Sequence, residues 1–177
     1  MNRFFLAALV AGGAAPALVL AQAPASAPAS VPAQAPAPAA RGPSLKLALE
    51  AAQKAVDTCK GLDQKVGVTV IDSAGVLKVV LATDGASTRG VVSSTNKALT
   101  ALAFTEATSE LGEKIKTDAA LAGKVAANPN YNTHAGGLLL KVGDDIIGAI
   151  GVGGAKGSEK DQACAFAGLN KVKRRLK

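Results

Sequence analysis

Apolar residues return at helical spacing where the chain first becomes globular. Leu45, Leu49, Ala52, Val56 and Cys59 follow one another at intervals of four, three, four and three. This spacing lines one face of a helix that begins after Pro43 with Ser44 as its cap and stops at Gly61. The pattern then changes to that of strands. Val66 to Ile71 and Val76 to Leu81 are rich in β-branched residues and flank Asp72-Ser73-Ala74-Gly75, which predicts a hairpin. After the break at Asp84-Gly85 a long helix is predicted near 91–111. Its Leu99, Leu102, Ala103, Phe104, Ala107 and Leu111 spread around the circumference, so neighbours should cover more than one side. A shorter helix is expected through 117–127, ended by Asn128-Pro129-Asn130. Leu138 to Val142 and Ile146 to Val152, joined through Gly143-Asp144-Asp145, predict a second hairpin, and a last helix follows over 159–172. The order α-β-β-α-α-β-β-α predicts an α+β fold, an antiparallel sheet of two hairpins with helices packed on it. No repeat of solenoid period is visible.

The second hairpin runs into Gly148-Ala149-Ile150-Gly151-Val152-Gly153-Gly154-Ala155-Lys156-Gly157-Ser158. Each glycine removes a side chain, so something is expected to approach this backbone closely. Ser158 and Asp161 have the spacing of a capping box, which would place a helix N-terminus directly after the glycines. Two phosphate-binding motifs fail here. The third glycine of G-x-G-x-x-G falls on Lys156, and Lys156-Gly157-Ser158 has the wrong order for a nucleotide P-loop. A tight turn against a neighbouring backbone and an anion cradle both remain open readings.

Residues 1–21 read as a cleavable signal peptide: Arg3, the apolar run Phe4 to Leu20, then Val19-Leu20-Ala21. Gly12, Gly13 and Pro16 interrupt the run, which argues against a stable membrane anchor. The protein is accordingly expected to be periplasmic or secreted. Residues 22–43 are dominated by Ala and Pro and read as an extended linker of up to roughly 70 Å at about 3.1 Å per residue. Residues 44–177 then form one domain. The net charge of +7 is local: 44–170 is balanced, Lys171, Lys173, Arg174, Arg175 and Lys177 carry five of the charges, and Arg3 and Arg41 carry the other two. That tail reads as a solvated helix end whose cations sit near the negative pole of the helix. Beyond the signal only Phe104, Tyr131 and Phe166 are aromatic, so there is neither a basic face nor a stacking platform for nucleic acid.

The segments Val68-Thr69-Val70-Ile71-Asp72 with Gly75, Asp84-Gly85-Ala86, Lys97-Ala98 with Thr100-Ala101, and Gly136-Gly137 occur in an order that carries information. So do Gly148 to Ala155 and Asp161 with Cys164-Ala165 and Ala167-Gly168-Leu169. Together they resemble the GlcG/HbpS-like family, also called the haem-degrading domain family, over nearly all of 45–172. The resemblance implies a profilin-like fold, homo-oligomers and, in several members, haem binding; some relatives pair the domain with cobalamin chemistry. The chain departs from the pattern in two places. Leu138-Leu139-Leu140 follows the glycine pair where Gly-Gly-x-Pro-Ile is frequent, and Ser87-Thr88-Arg89 stands where some members carry a histidine.

The inventory of reactive side chains is short. His134 is the only histidine, and Met1, the only methionine, leaves with the signal. A bis-His or His-Met axial pair within one chain is thus excluded, and there is no C-x-x-C-H for covalent haem. An iron would take His134 as ligand, or Tyr131 from the same polar segment, beside the Gly136-Gly137 pair that permits close approach. Asp84, Arg89 and Lys97 flank the start of the long helix and are candidates to hold a carboxylate or propionate. No set of three or four zinc ligands and no G-x-S-x-G motif is recognisable. Cys59 and Cys164 form an even pair in an oxidising compartment and are expected to be bridged, two buried thiols being the alternative. These features point to an oligomeric binding protein for haem or a related tetrapyrrole. An enzyme using Asp84, Lys97 and His134 on a small anionic metabolite, or a structural subunit without a ligand, are the competing classes.

Overall fold

The computed structural model describes residues 40–177, so the expected signal peptide and most of the linker lie outside the described residues. The elements are α1 (Leu45–Gly61), β1 (Gly67–Asp72), β2 (Leu77–Ala82), α2 (Thr88–Phe104), α3 (Thr108–Lys114), α4 (Ala119–Ala126), β3 (Gly137–Val142), β4 (Asp145–Gly153) and α5 (Ser158–Val172). A short 3-10 turn, Lys173–Arg175, follows. The two hairpins join through an antiparallel β1–β4 pairing, giving one four-stranded sheet in the order β2-β1-β4-β3. The predicted α+β fold is the observed one.

Three layers result. On one face of the sheet, Val68, Val70, Leu138, Leu140, Ile150 and Val152 pack with the buried side of α1 and with Cys164 and Ala165 of α5. On the other face, Ile71 and Ala149 pack with Ala98 and Ala101 of α2. Strand β1 is therefore buried along its whole length, which explains its nearly continuous apolar run. Its central polar side chain, Thr69, faces α2 and meets the hydroxyls of Ser94 at 2.8 Å and Thr95 at 3.0 Å. A buried hydroxyl is tolerated there because it is hydrogen-bonded.

The glycine-rich strand is approached by α2. A Cβ at Gly151 would overlap the carbonyl oxygen of Ser94, and one at Gly153 would lie 2.7 Å from the Ser94 nitrogen. The small side of α2 (Gly90, Ser94, Ala98, Ala101) lies flat on this stripe of β4. Close packing of helix on strand accounts for glycines on both elements, without a ligand.

On the opposite face α1 and α5 share the sheet. A Cβ at Gly168 of α5 would stand 2.5 Å from the Ala51 carbonyl oxygen of α1. The buried side of α1 is accordingly Ala48, Ala51, Ala52, Ala55, Val56 and Cys59. Leu45 and Leu49, expected inside, are 62% and 48% exposed. Small residues admit the second helix and larger ones are turned outward. The two helices are cross-linked by the expected Cys59–Cys164 disulfide, with Cα atoms 5.5 Å apart.

Two further expectations are corrected. The helix predicted over 91–111 is two helices. Thr105 adopts a left-handed conformation (φ 56°), its N–H returning to the carbonyls of Ala101 and Leu102, and α3 starts after Ala107. A threonine in this region is uncommon, so no glycine or asparagine marked the break. The capping box does not form either. Gly157 (φ 103°) is the N-cap of α5, Ser158 is already helical, and no side chain caps this end.

Candidate functional site

Asp161 does something else with its carboxylate. Oδ2 accepts a hydrogen bond from Lys97 Nζ at 2.7 Å, and Oδ1 accepts one from the Ala155 N–H at 3.0 Å. The two side chains are 4% and 2% exposed. The carboxylate thus ties the middle of α2 to the start of α5 and to the turn after β4. Burial pushes the Lys97 ammonium below its ordinary value, against the stabilising hydrogen bond and charge of Asp161. Burial likewise raises the Asp161 carboxyl, opposed by Lys97 and by the backbone of Ala155 and Gly154.

Gly136 lies against this pair. With φ 131° it takes a backbone conformation that favours glycine, and a Cβ would fall 2.9 Å from Asp161 Cβ and 3.0 Å from Lys97 Nζ. Its carbonyl accepts from the Val152 N–H, which fixes the entry to β3. The segment immediately before it, Asn128 to Ala135, is held along α2 and α3 by side chains. The Asn132 N–H donates to Thr100 Oγ1 at 2.8 Å and its Nδ2 donates to Ser93 Oγ at 3.0 Å. The His134 N–H donates to Asn132 Oδ1 at 3.0 Å. Thr108 Oγ1 donates to the His134 carbonyl at 2.8 Å and accepts from the Gly137 N–H at 2.9 Å.

Both backbone groups of His134 are thereby engaged while its side chain remains exposed. The residue borders a depression of about 310 Å³ together with Ser109, Gly112, Glu113, Lys116 and Ser158. That volume is at the low end of the range for small-molecule sites, roughly 300–1,000 Å³, so a ligand as wide as a tetrapyrrole extends beyond it. Tyr131, three residues earlier, stacks edge-to-face on Phe104 with ring centroids 5.1 Å apart. The aromatic pair anchors the start of the loop to the last turn of α2.

The other sequence candidates lie elsewhere. Asp84 and Arg89 are exposed near the start of α2. Asp84 borders a different depression, of about 180 Å³, with Lys60, Asp63, Lys65 and Thr83. Lys97, on the same helix as Arg89, is inside and paired with Asp161. Sequence reading missed Asn132, Thr108, Ser93 and Thr100, which fix the His134 loop; the polar run Asn128 to His134 was the available signal. Among the described residues no group of three or more His, Cys, Asp or Glu side chains converges on a metal position.

A layered α+β domain with a glycine-striped strand, a buried lysine–aspartate pair and a pinned histidine loop is the class defined by this architecture. The chain belongs to the HbpS-like family of haem degrading proteins, whose signature it matches over residues 44–170. Among solved structures it is similar to HbpS (31% identity over 73% of this chain and 89% of that one, TM-score 0.67). An HbpS double mutant from Streptomyces reticuli aligns at 30% identity over 81% of this chain and 97% of that one, TM-score 0.68. A PduOC:heme complex aligns at 26% identity over 73% of this chain and 94% of that one, TM-score 0.68. No curated protein sequence matches the chain.

Proposed function

We propose that this chain is an exported, self-associating protein that binds haem or a related tetrapyrrole. The observation that carries the reading is His134: one imidazole, outward-facing, on a loop whose backbone is held by Asn132 and Thr108. A pre-positioned ligand loses little freedom on binding, which favours affinity. Family membership and the similarity to a haem complex support the same chemistry. When bound, haem would supply a redox-active, Lewis-acidic iron able to accept a ligand from the protein. The chain's part would be to offer His134 to the metal, with Tyr131 as the alternative donor, and to meet the propionates with Arg89, since Lys97 is engaged by Asp161. Gly136 and Gly137 act from beneath the loop, their missing side chains letting the backbone close on Lys97, Thr108 and Asp161, and Asp84 contributes polarity near Arg89.

Self-association draws support from apolar side chains left on the outside: Val76 at 57%, Leu77 at 53%, Val80 at 42% and Val92 at 51% exposure. Export draws support from the Cys59–Cys164 bridge, a feature of oxidising compartments. The domain plan follows: signal peptide 1–21, linker 22–43, binding domain 44–177. Haemin titration of the mature protein tests the proposal, with a saturable Soret shift expected. A spectrum that stays that of free haemin would overturn it. Intact-mass analysis of the exported fraction should show a chain beginning at Gln22.

A further inference from the structure

The C-terminal tail does not continue α5 into solvent. After the 3-10 turn Lys173–Arg175, Leu176 turns back into the core and is only 8% exposed. Arg175 is gripped on two sides: its guanidinium pairs with Glu50 of α1, and Nη2 donates to the Lys171 carbonyl at 3.3 Å. The tail is thereby laid against the beginning of α1, more than a hundred residues away in sequence.

Between them lies a cavity of about 660 Å³, larger than the depressions beside His134 and Asp84. Its wall has an apolar part, Pro43 and Leu47, and every titratable side chain on it is a cation: Lys46, Arg174, Arg175 and Lys177. Lys46, Arg174 and Lys177 make no ion pair among the described residues. The first turn of α1 contains no acidic residue, and Ser44 Oγ accepts only from the Leu47 N–H, at 3.3 Å. The amides of Leu45 and Lys46 therefore add their positive pole to the field of the three unpaired side chains.

We propose that this cavity is an anion site, separate from the His134 loop, for a compact ligand bearing more than one phosphate-type charge. Cations brought together from the first and last helical segments of the domain, around a concavity lined by no acidic side chain, raise the local concentration of a polyanion. Arg175, its guanidinium already paired with Glu50, holds the wall of the cavity in place and leaves the net positive charge to Lys46, Arg174 and Lys177.

The probe is inorganic pyrophosphate, added at low ionic strength to the mature protein with amide shifts followed by NMR. Saturable shifts are expected at residues 44–47 and 174–177, weakening as salt is raised. The variant Lys46→Gln/Arg174→Gln/Lys177→Gln should bind roughly tenfold more weakly. Lys60→Gln/Lys65→Gln/Lys156→Gln, which removes the same charge elsewhere, should bind as the parent does. Shifts absent or scattered over the surface, or equal weakening in both variants, would overturn the site. So would capture by anionic phospholipid vesicles without any response to pyrophosphate. Haemin titration of the first variant keeps the two sites distinguishable, since its Soret response should be that of the parent.

Discussion

Lys97 and Asp161 are 64 positions apart in the chain and meet at 2.7 Å in the interior. Their contact joins α2 to α5 from opposite faces of the sheet and supports the Gly136 turn from which the His134 loop departs. Removing either partner leaves the other charge buried and alone. Asp161→Ala or Lys97→Ala should each cost about 3–5 kcal/mol, whereas Lys97→Met/Asp161→Asn should cost less than either, measured by urea unfolding.

The pair also predicts a pH signature. A raised Asp161 means that the folded state holds this proton more tightly than the unfolded chain, so its contribution to stability falls as pH rises toward the folded pKa. A lowered Lys97 means that the contribution recovers as pH rises from the folded pKa toward the ordinary lysine value. The parent should therefore compare least favourably with Lys97→Met/Asp161→Asn near neutrality and gain on it toward both extremes. A stability difference independent of pH would refute this reading.

The disulfide closes a loop of 105 residues between the first and last helices. The chain-entropy model assigns such a closure about 4.7 kcal/mol. Cys59→Ala/Cys164→Ala should lower stability by a similar amount, and reductant should affect the parent but not the variant. Full alkylation of both thiols in unreduced, denatured protein would count against the bridge.

Gly151 and Gly123 should respond in opposite directions to alanine. At Gly151 the new methyl group would overlap the Ser94 carbonyl and lie 2.7 Å from the Ala98 nitrogen, forcing α2 off the sheet. A loss of about 3 kcal/mol is expected. Gly123, inside α4, has nothing within 4 Å of the added carbon, so Gly123→Ala should gain about 0.5–1 kcal/mol. Thermal midpoints of the two variants test this; a Gly151→Ala protein as stable as the parent would show that the helix does not rest on the glycines.

His134→Ala should abolish or alter the Soret and visible bands of the haem-loaded protein, with Tyr131→Phe having the smaller effect. Tyr131 would provide a phenolate-type ligand with a different spectrum. Asn132→Ala, which frees the His134 N–H and removes the side-chain contact to Ser93 of α2, should weaken haemin binding while leaving the spectrum of the complex intact. Unchanged spectra and affinity in His134→Ala would move the ligand assignment to Tyr131 or to a side chain near Asp84 and Arg89.

The strands, both hairpin turns and the outer limits of α1, α4 and α5 could be read from local pattern. Period, turn residues and helix stops act over a few neighbours, and those neighbours are adjacent in sequence. The family was legible for a related reason: its ordered glycine and small-residue segments are local. The site was legible as composition, since a single histidine beside a glycine pair needs no fold to be noticed. What could not be read depended on partners distant in the chain. Leu45 and Leu49 had the correct period for a buried face, but α5 claimed the alanine side of α1 because a close helix pair excludes bulk. Ser158 and Asp161 had the spacing of a cap, yet a lysine buried on another helix needed the carboxylate more. Leu176 sits within a tail of cations that looked solvated until the core accepted its side chain. Sequence by itself determined where the backbone turns and which periods its segments carry; the tertiary structure decided which face each helix buries and which charges meet, because desolvation and steric exclusion depend on atoms that only folding brings together.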